Sequence, residues 1–244
     1  MAMCQFALRG AIALNNMAAT MMERCRYRQA FITLKDAVSA MTLANDTSAD
    51  SRYTVLMFLK QAYKRTSCQL PCPTSPSIPV TSIAHDAKIN FAEVRNKSAA
   101  PEYHIVRIEM HDVDILDCND SSELATIIML YNFGVAHLCR AQVSERQSQA
   151  RKLRSGGLKL LSLCRNLLIE YYDECDDPIL LSRYMLILSH TLETLASGFL
   201  GDGQVDEARA CKNRLILLKK VASEYHSIHS TLNAHSQVKA APAA

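Results

Sequence analysis

Large apolar residues recur at threes and fours along most of this 244-residue chain, and short polar breaks separate the runs. Within residues 3–45, Ile12, Leu14, Met17, Ala18 and Met21 form one stripe, and Ala30, Phe31, Leu34, Ala37, Val38 and Met41 form a second. This spacing marks one face of an α-helix. The polar break at 23–28 therefore predicts two antiparallel helices joined by a tight turn. The polar run 45–50 offers capping side chains for a third helix over 51–65, which carries Tyr53, Leu56, Met57, Leu59 and Tyr63.

The character changes at Thr66. Four of the seven prolines fall in 68–79, and each removes a backbone donor and clashes with a continuing helix. Two period-two runs follow, at 88–94 and, more clearly, at 103–110, where β-branched residues alternate with polar ones. The expectation for 67–120 is an insert between helices. It is either a small β-hairpin turning at 96–101 or a disordered loop. Helical spacing resumes at about Ser121, with runs at 124–138, 158–169, 179–200 and 205–230. Asp176, Asp177 and Pro178 suit a stop followed by a start, because Pro fits the first helical turn. Gly201 and Gly203 supply a turn, and the polar, Ala-rich segment 233–244 is expected to fray.

Three segments share an internal pattern of a large apolar residue, a polar one, another large one and a small one: Leu14 to Ala18, Leu130 to Gly134 and Leu192 to Ala196. Met21, His137 and Phe199 each follow three residues after the small one. Ala30 and Ala208 open second helices twelve residues after Ala18 and Ala196. This resembles the tetratricopeptide repeat. The first unit matches at Leu14, Met17, Ala18, Met21, Ala30, Leu34 and Ala37. The third matches at Leu192, Leu195, Ala196, Phe199 and Ala208, but has Lys212 where a large apolar residue belongs and Leu215 where a small one belongs. The second matches at Leu130, Phe133 and Gly134, and its second helix, around Gly157, Leu161 and Cys164, arrives about eleven residues late. The family's usual Trp and terminal Pro are missing. The long insert after the first pair is also similar to helical-repeat proteins of eukaryotic microalgae. The resemblance implies a single mainly all-α domain over 1–244, a tetratricopeptide-like superhelix of helix pairs, each burying one side against the next. A generic helical bundle is the competing expectation, since Leu-small patterns occur in any packed helix pair.

In that family, ligands lie along the concave face of the first helices. The matching positions here include Asn15, Met22, Tyr131, Val135, Leu138, His190 and Glu193, a face with no Lys or Arg. Such a groove suits an amphipathic helix or an extended segment of another protein. A second expectation competes with it: the insert folds back and fills the groove, making these residues core. Asn16 and Asn132 recur at one repeat position and are expected to bond between neighbouring helices.

Composition adds constraints. A 49% hydrophobic and 21% charged chain has room for a real core, and a formal charge of +3 is too small to imply nucleic acid by itself. Basic residues do concentrate in 140–165 (Arg140, Arg146, Arg151, Lys152, Arg154, Lys159 and Arg165), after an acidic run over 102–123. The alternative function is thus a basic-face nucleic-acid binder. No aromatic residue interleaves those cations to stack a base, and a solvated face is the bland reading. Nine irregularly spaced cysteines, several in apolar helical runs, point to a reducing compartment rather than a disulfide framework. No stretch reads as a membrane span, and residues 1–22 fit a weak presequence or simply the first helix.

Cys68 and Cys72 lack a second pair at zinc spacing, and His226, His229 and His235 fall short of four ligands. Leu116 and Asp117 break the calcium-loop pattern begun by Asp112 and Asp114. No nucleophile setting is recognisable. The expectation is a non-enzymatic, intracellular interaction or scaffold module with no metal and no cofactor. Its partner is another protein, self-association stays open, and no membrane is involved.

Overall fold

A computed structural model describes residues 2–43, 48–67, 78, 80–84, 103–108 and 118–239, with side chains described for all of these except 2–4, 49, 118–121 and 224–239. Seven helices and two strands occur among them: α1 (Ala2–Glu23), α2 (Tyr27–Thr42), α3 (Ala49–Ser67), β1 (Val80–Ala84), β2 (Tyr103–Arg107), α4 (Cys118–Gln142), α5 (Gln147–Glu174), α6 (Pro178–Gly201) and α7 (Val205–Lys239). The chain is mainly α-helical, as its periodicity indicates.

The helices form where the apolar stripes lie. In α2, Tyr27, Ala30, Thr33, Leu34, Ala37 and Ala40 are buried, a face at i, i+3, i+4 and i+7. Its small residues let α1 come close. Between them, Cys25 takes a left-handed φ of 57°, while the Cys25 and Arg26 amides close onto Met22 and Met21 carbonyls at 2.9 and 2.8 Å. This satisfies the helix end. At the start of α6, the Asp177 carboxylate accepts from the Ile179 amide at 2.7 Å and the Leu180 amide at 3.4 Å, with Pro178 in the first turn. Gly203, at φ 75°, makes the turn into α7.

The packing follows a rule. α1 pairs with α2, α4 with α5 and α6 with α7, and the second helix of one pair also packs on the first helix of the next, α2 on α4 and α5 on α6. α3 flanks the first pair, lying on α1 and α2. Glycines mark the closest crossings. A Cβ on Gly157 would stand 2.9 Å from the Gly134 carbonyl oxygen and 3.0 Å from His137 Cβ. Those two glycines set how closely α4 and α5 approach. α6 buries thirteen residues on most of its circumference, the mark of a central helix. α4 is central as well.

Two expectations are corrected. β1 and β2 pair in parallel, Val80 opposite Tyr103 through Ala84 opposite Arg107, so the pair is a crossover and not a hairpin. The expected strand at 88–94 lies outside the described residues. α4 over Ser122–Gln142 is long and apolar enough to cross a membrane by length and composition, although no such stretch was expected; 72% of its apolar window is buried inside the fold. In α7 the buried stripe is Ala208, Cys211, Leu215, Leu218 and Ala222, and Lys212 faces outward. α7 also continues to Lys239, into the segment 233–244.

Candidate functional site

The first helices α1 and α4 carry polar side chains in the middle of apolar stripes. Asn15 and Asn132 are both fully buried, and buried amides require partners. They find them in β2. The Val106 carbonyl accepts from Asn132 Nδ2 at 2.7 Å and from Asn15 Nδ2 at 3.2 Å, and the Val106 amide donates to Asn132 Oδ1 at 2.9 Å. Asn132 Nδ2 also donates to Asn15 Oδ1 at 2.8 Å. One turn of pleat further, Asn16 repeats the pattern: its Nδ2 donates to the Ile108 carbonyl at 2.7 Å, and its Oδ1 accepts from the Ile108 amide at 3.0 Å. At the other end, the Tyr131 hydroxyl donates to the His104 carbonyl at 3.1 Å.

Residues 104, 106 and 108 lie two apart, so their backbone groups point to one edge of the strand. The other edge pairs with β1. Side chains of α1 and α4 therefore stand where a third strand would hydrogen-bond. These bonds run to main-chain atoms, while the strand's Tyr103, Ile105 and Val106 side chains are buried in the core. Outlying contacts fix the ends. Arg107 donates to the Asn16 carbonyl at 3.2 Å, Thr20 Oγ1 at 3.1 Å and Glu23 Oε2 at 2.7 Å. The second Glu23 oxygen accepts from Ser82 on β1. Gln142 donates to the Tyr103 hydroxyl at 2.7 Å, and Tyr27 exchanges two bonds with the Ile78 backbone.

The seven positions expected to line an open groove are distributed as follows. Asn15 and Tyr131 hold β2 and are fully buried; Met22 and Val135 are fully buried. Leu138 is buried too, close to Gly157 and Gly198, and so lies towards α5 and α6. The His190 ring sits 4.6 Å from the ring of His104 on β2. Glu193, half-exposed, pairs with Lys219 at 3.3 Å. The structure thus brings Asn15, Tyr131 and His190 together around β2, with the chain's own strand across the face. Asn132 bonds to the neighbouring helix, as expected; Asn16 instead bonds to β2. The sequence signal for this site was the amides embedded in apolar stripes, while their target, ninety residues away along the chain, had no local mark.

Burial dominates the electrostatics of this region. Burial, helped by His104 and Lys219, pushes His190 down to about 3. Its Nδ1 lies 3.7 Å from Glu193 Oε2, too far for a hydrogen bond, and Lys219 takes that carboxylate. Burial pushes the Cys164 thiol up to about 12 and raises Cys139 as well, so neither is a ready thiolate. Tyr131 is also raised by burial. Among the described residues no group of three His, Cys, Asp or Glu could hold a metal ion.

Elsewhere, a shallow groove of about 460 Å³ runs between α5 and the α6–α7 turn, with Leu158, Leu163 and Phe199 beside Lys159 and Asn166. The basic stretch 140–165 is partly committed: Arg140 lies over the Phe31 ring at 4.6 Å, and Arg154 pairs with Asp202 at 3.0 Å. Comparison with protein-family models, curated proteins and solved structures finds no match to the chain.

Proposed function

We propose that this chain is a protein–protein interaction and scaffold module of the tetratricopeptide-like kind, whose first-helix face binds extended polypeptide through its main chain. The observation that carries this reading is the row of Tyr131, Asn132, Asn15 and Asn16 along the open edge of β2. The packing rule of pairs, in which α2 meets α4 and α5 meets α6, supports the repeat-like superhelix. In the isolated chain the face holds residues 104–108; a partner's extended segment takes the same backbone bonds in their place, as in strand addition. The module is non-enzymatic. The buried free thiols of Cys139, Cys164 and Cys211 support work in a reducing, intracellular setting. A nucleic-acid role for 140–165 draws no support from Arg140 and Arg154, which are already engaged.

A labelled peptide spanning residues 102–109 tests the proposal. In a Val106→Pro variant the amide that donates to Asn132 is gone, which loosens the resident strand. The peptide is expected to bind this variant saturably, to bind the unmodified chain much more weakly, and to lose binding when Asn132→Ala is added. Failure to bind a variant that circular dichroism shows to be folded contradicts the reading.

A further inference from the structure

The resident strand fits the first-helix face badly at one residue. Along β2 the helices serve backbone groups, and Tyr103, Ile105 and Val106 are buried. His104 instead lays its ring against the ring of His190 on α6, with centroids 4.6 Å apart and planes tilted by 54°. The His190 side chain is only 14% exposed, yet its Nδ1 has no hydrogen-bond partner among the described residues. A buried polar atom without a partner works against the packed state. At this residue the chain's own strand is not the best occupant of the face.

The groups around the two rings show what a better occupant carries. Tyr131 on α4 donates to the His104 carbonyl at 3.1 Å. One oxygen of Glu193 on α6 lies 3.7 Å from His190 Nδ1, and the other accepts from Lys219 on α7 at 3.3 Å. Lys219 and Glu193 cancel in charge. A proton on His190 therefore leaves one positive charge in excess, and the His104 ring offers no negative charge to balance it. Burial, helped by His104 and Lys219, keeps that proton off in the closed chain. A carboxylate in place of the His104 ring reverses both defects: it accepts from His190 Nδ1 and balances the charge.

Building on the strand-exchange reading, we infer that the place of His104 is the specificity position of this face. The partner's extended segment carries Asp or Glu there, and His190 is the residue that reads it. Asn132, bonded to both backbone groups of Val106, sets the register, so the acidic residue falls two positions before the one that Asn132 holds. Binding takes up one proton: the imidazole, neutral against the resident strand, becomes an imidazolium against the carboxylate. Partner binding therefore strengthens as pH falls from about 7 to about 5, by up to about tenfold per pH unit. The resident strand gains nothing from the same proton.

The test titrates labelled peptides of residues 102–109, with Gln, Glu or Lys in place of His104, against the full chain carrying Val106→Pro. At about pH 5.5 the Glu peptide should bind at least about tenfold tighter than the Gln peptide, and the Lys peptide most weakly. By about pH 7.5 the gap between Glu and Gln should narrow. Adding His190→Gln should remove both the preference and its pH dependence. A second readout needs no peptide. In the full chain without Val106→Pro, the titration midpoint of His190, followed by nuclear magnetic resonance, should lie more than about one pH unit higher in His104→Glu than in His104→Gln. Equal saturable binding of the Gln and Glu peptides, a preference that survives His190→Gln, or an unmoved His190 midpoint overturns the specificity position and leaves strand exchange standing. Binding of none of the peptides to the folded chain overturns strand exchange itself, and the specificity position with it.

Discussion

The face formed by α1 and α4 and the outer face of α7 are opposite in chemistry. The first is closed: its Asn15, Asn132 and Tyr131 are fully buried, and their polar atoms meet the main chain of β2. The second is open: large aliphatic side chains face solvent among unpaired cations. The contrast separates two kinds of specification. A buried amide without partners costs about 1–3 kcal/mol, so the inner face demands a particular backbone geometry, whichever chain supplies it. An exposed Leu carries no such demand.

The strongest way to break the comparison is to remove an inner amide. Asn132→Ala orphans the Val106 amide and leaves Asn15 Oδ1 without its donor. It is expected to destabilise the chain by about 3 kcal/mol, read as a lower urea midpoint. A loss under about 0.5 kcal/mol would mean that the amide ladder does not hold the strand. Next comes the platform beneath it. Gly157→Ala places a methyl group 2.9 Å from the Gly134 carbonyl oxygen and 3.0 Å from Leu138 Cδ2, so α4 and α5 must separate at a cost of about 1–3 kcal/mol. Gly201→Ala, with nothing within 4 Å, is the matched control and should be near neutral by the same denaturation.

Acid should loosen the inner face selectively. His190 is held near 3 in the fold against an ordinary value of 6.5, so between these pH values the unfolded chain carries a proton that the folded chain lacks. Stability is therefore fully present above about 6.5 and falls as pH drops towards 3, by up to about 1.4 kcal/mol per pH unit from this group. His137, also lowered by burial, acts in the same direction. Urea titrations at stepped pH should show His190→Gln with a shallower slope than the unmodified chain; an unchanged slope places the acid sensitivity elsewhere. The smallest effect belongs to the rim. Arg107 and Glu23 are each about a third exposed, and half-exposed pairs contribute little. Arg107→Gln should cost under about 1 kcal/mol and lose most of that difference in high salt.

The fold was legible where one helix face decides it. Ala30, Leu34 and Ala37 mark α2, Asp177 and Pro178 mark the start of α6, and the alternation at 103–110 marks β2. What was hidden depended on pairing. Period two reveals a strand but not its neighbour, so the short run 80–84 beside the prolines carries no clear mark and the parallel direction has none at all. The inner face was half legible. A fold-back of the insert is one of two expectations for it, but an apolar stripe looks the same whether a partner or the chain itself covers it. The Asn residues carried the missing information, since an amide in such a stripe implies a backbone partner. Only the three-dimensional structure identifies that partner as Val106 and Ile108.

Hydrogen exchange at the amides of Val106 and Ile108 tests the central claim most directly. If Asn132 and Asn16 hold β2 across the first-helix face, both amides should exchange only through global unfolding, with protection close to that of the α4 core. Asn132→Ala should then lower protection at Val106 more than at Ile108. Exchange of both amides at the rate of an open chain in the folded protein would contradict the account and leave the inner face free.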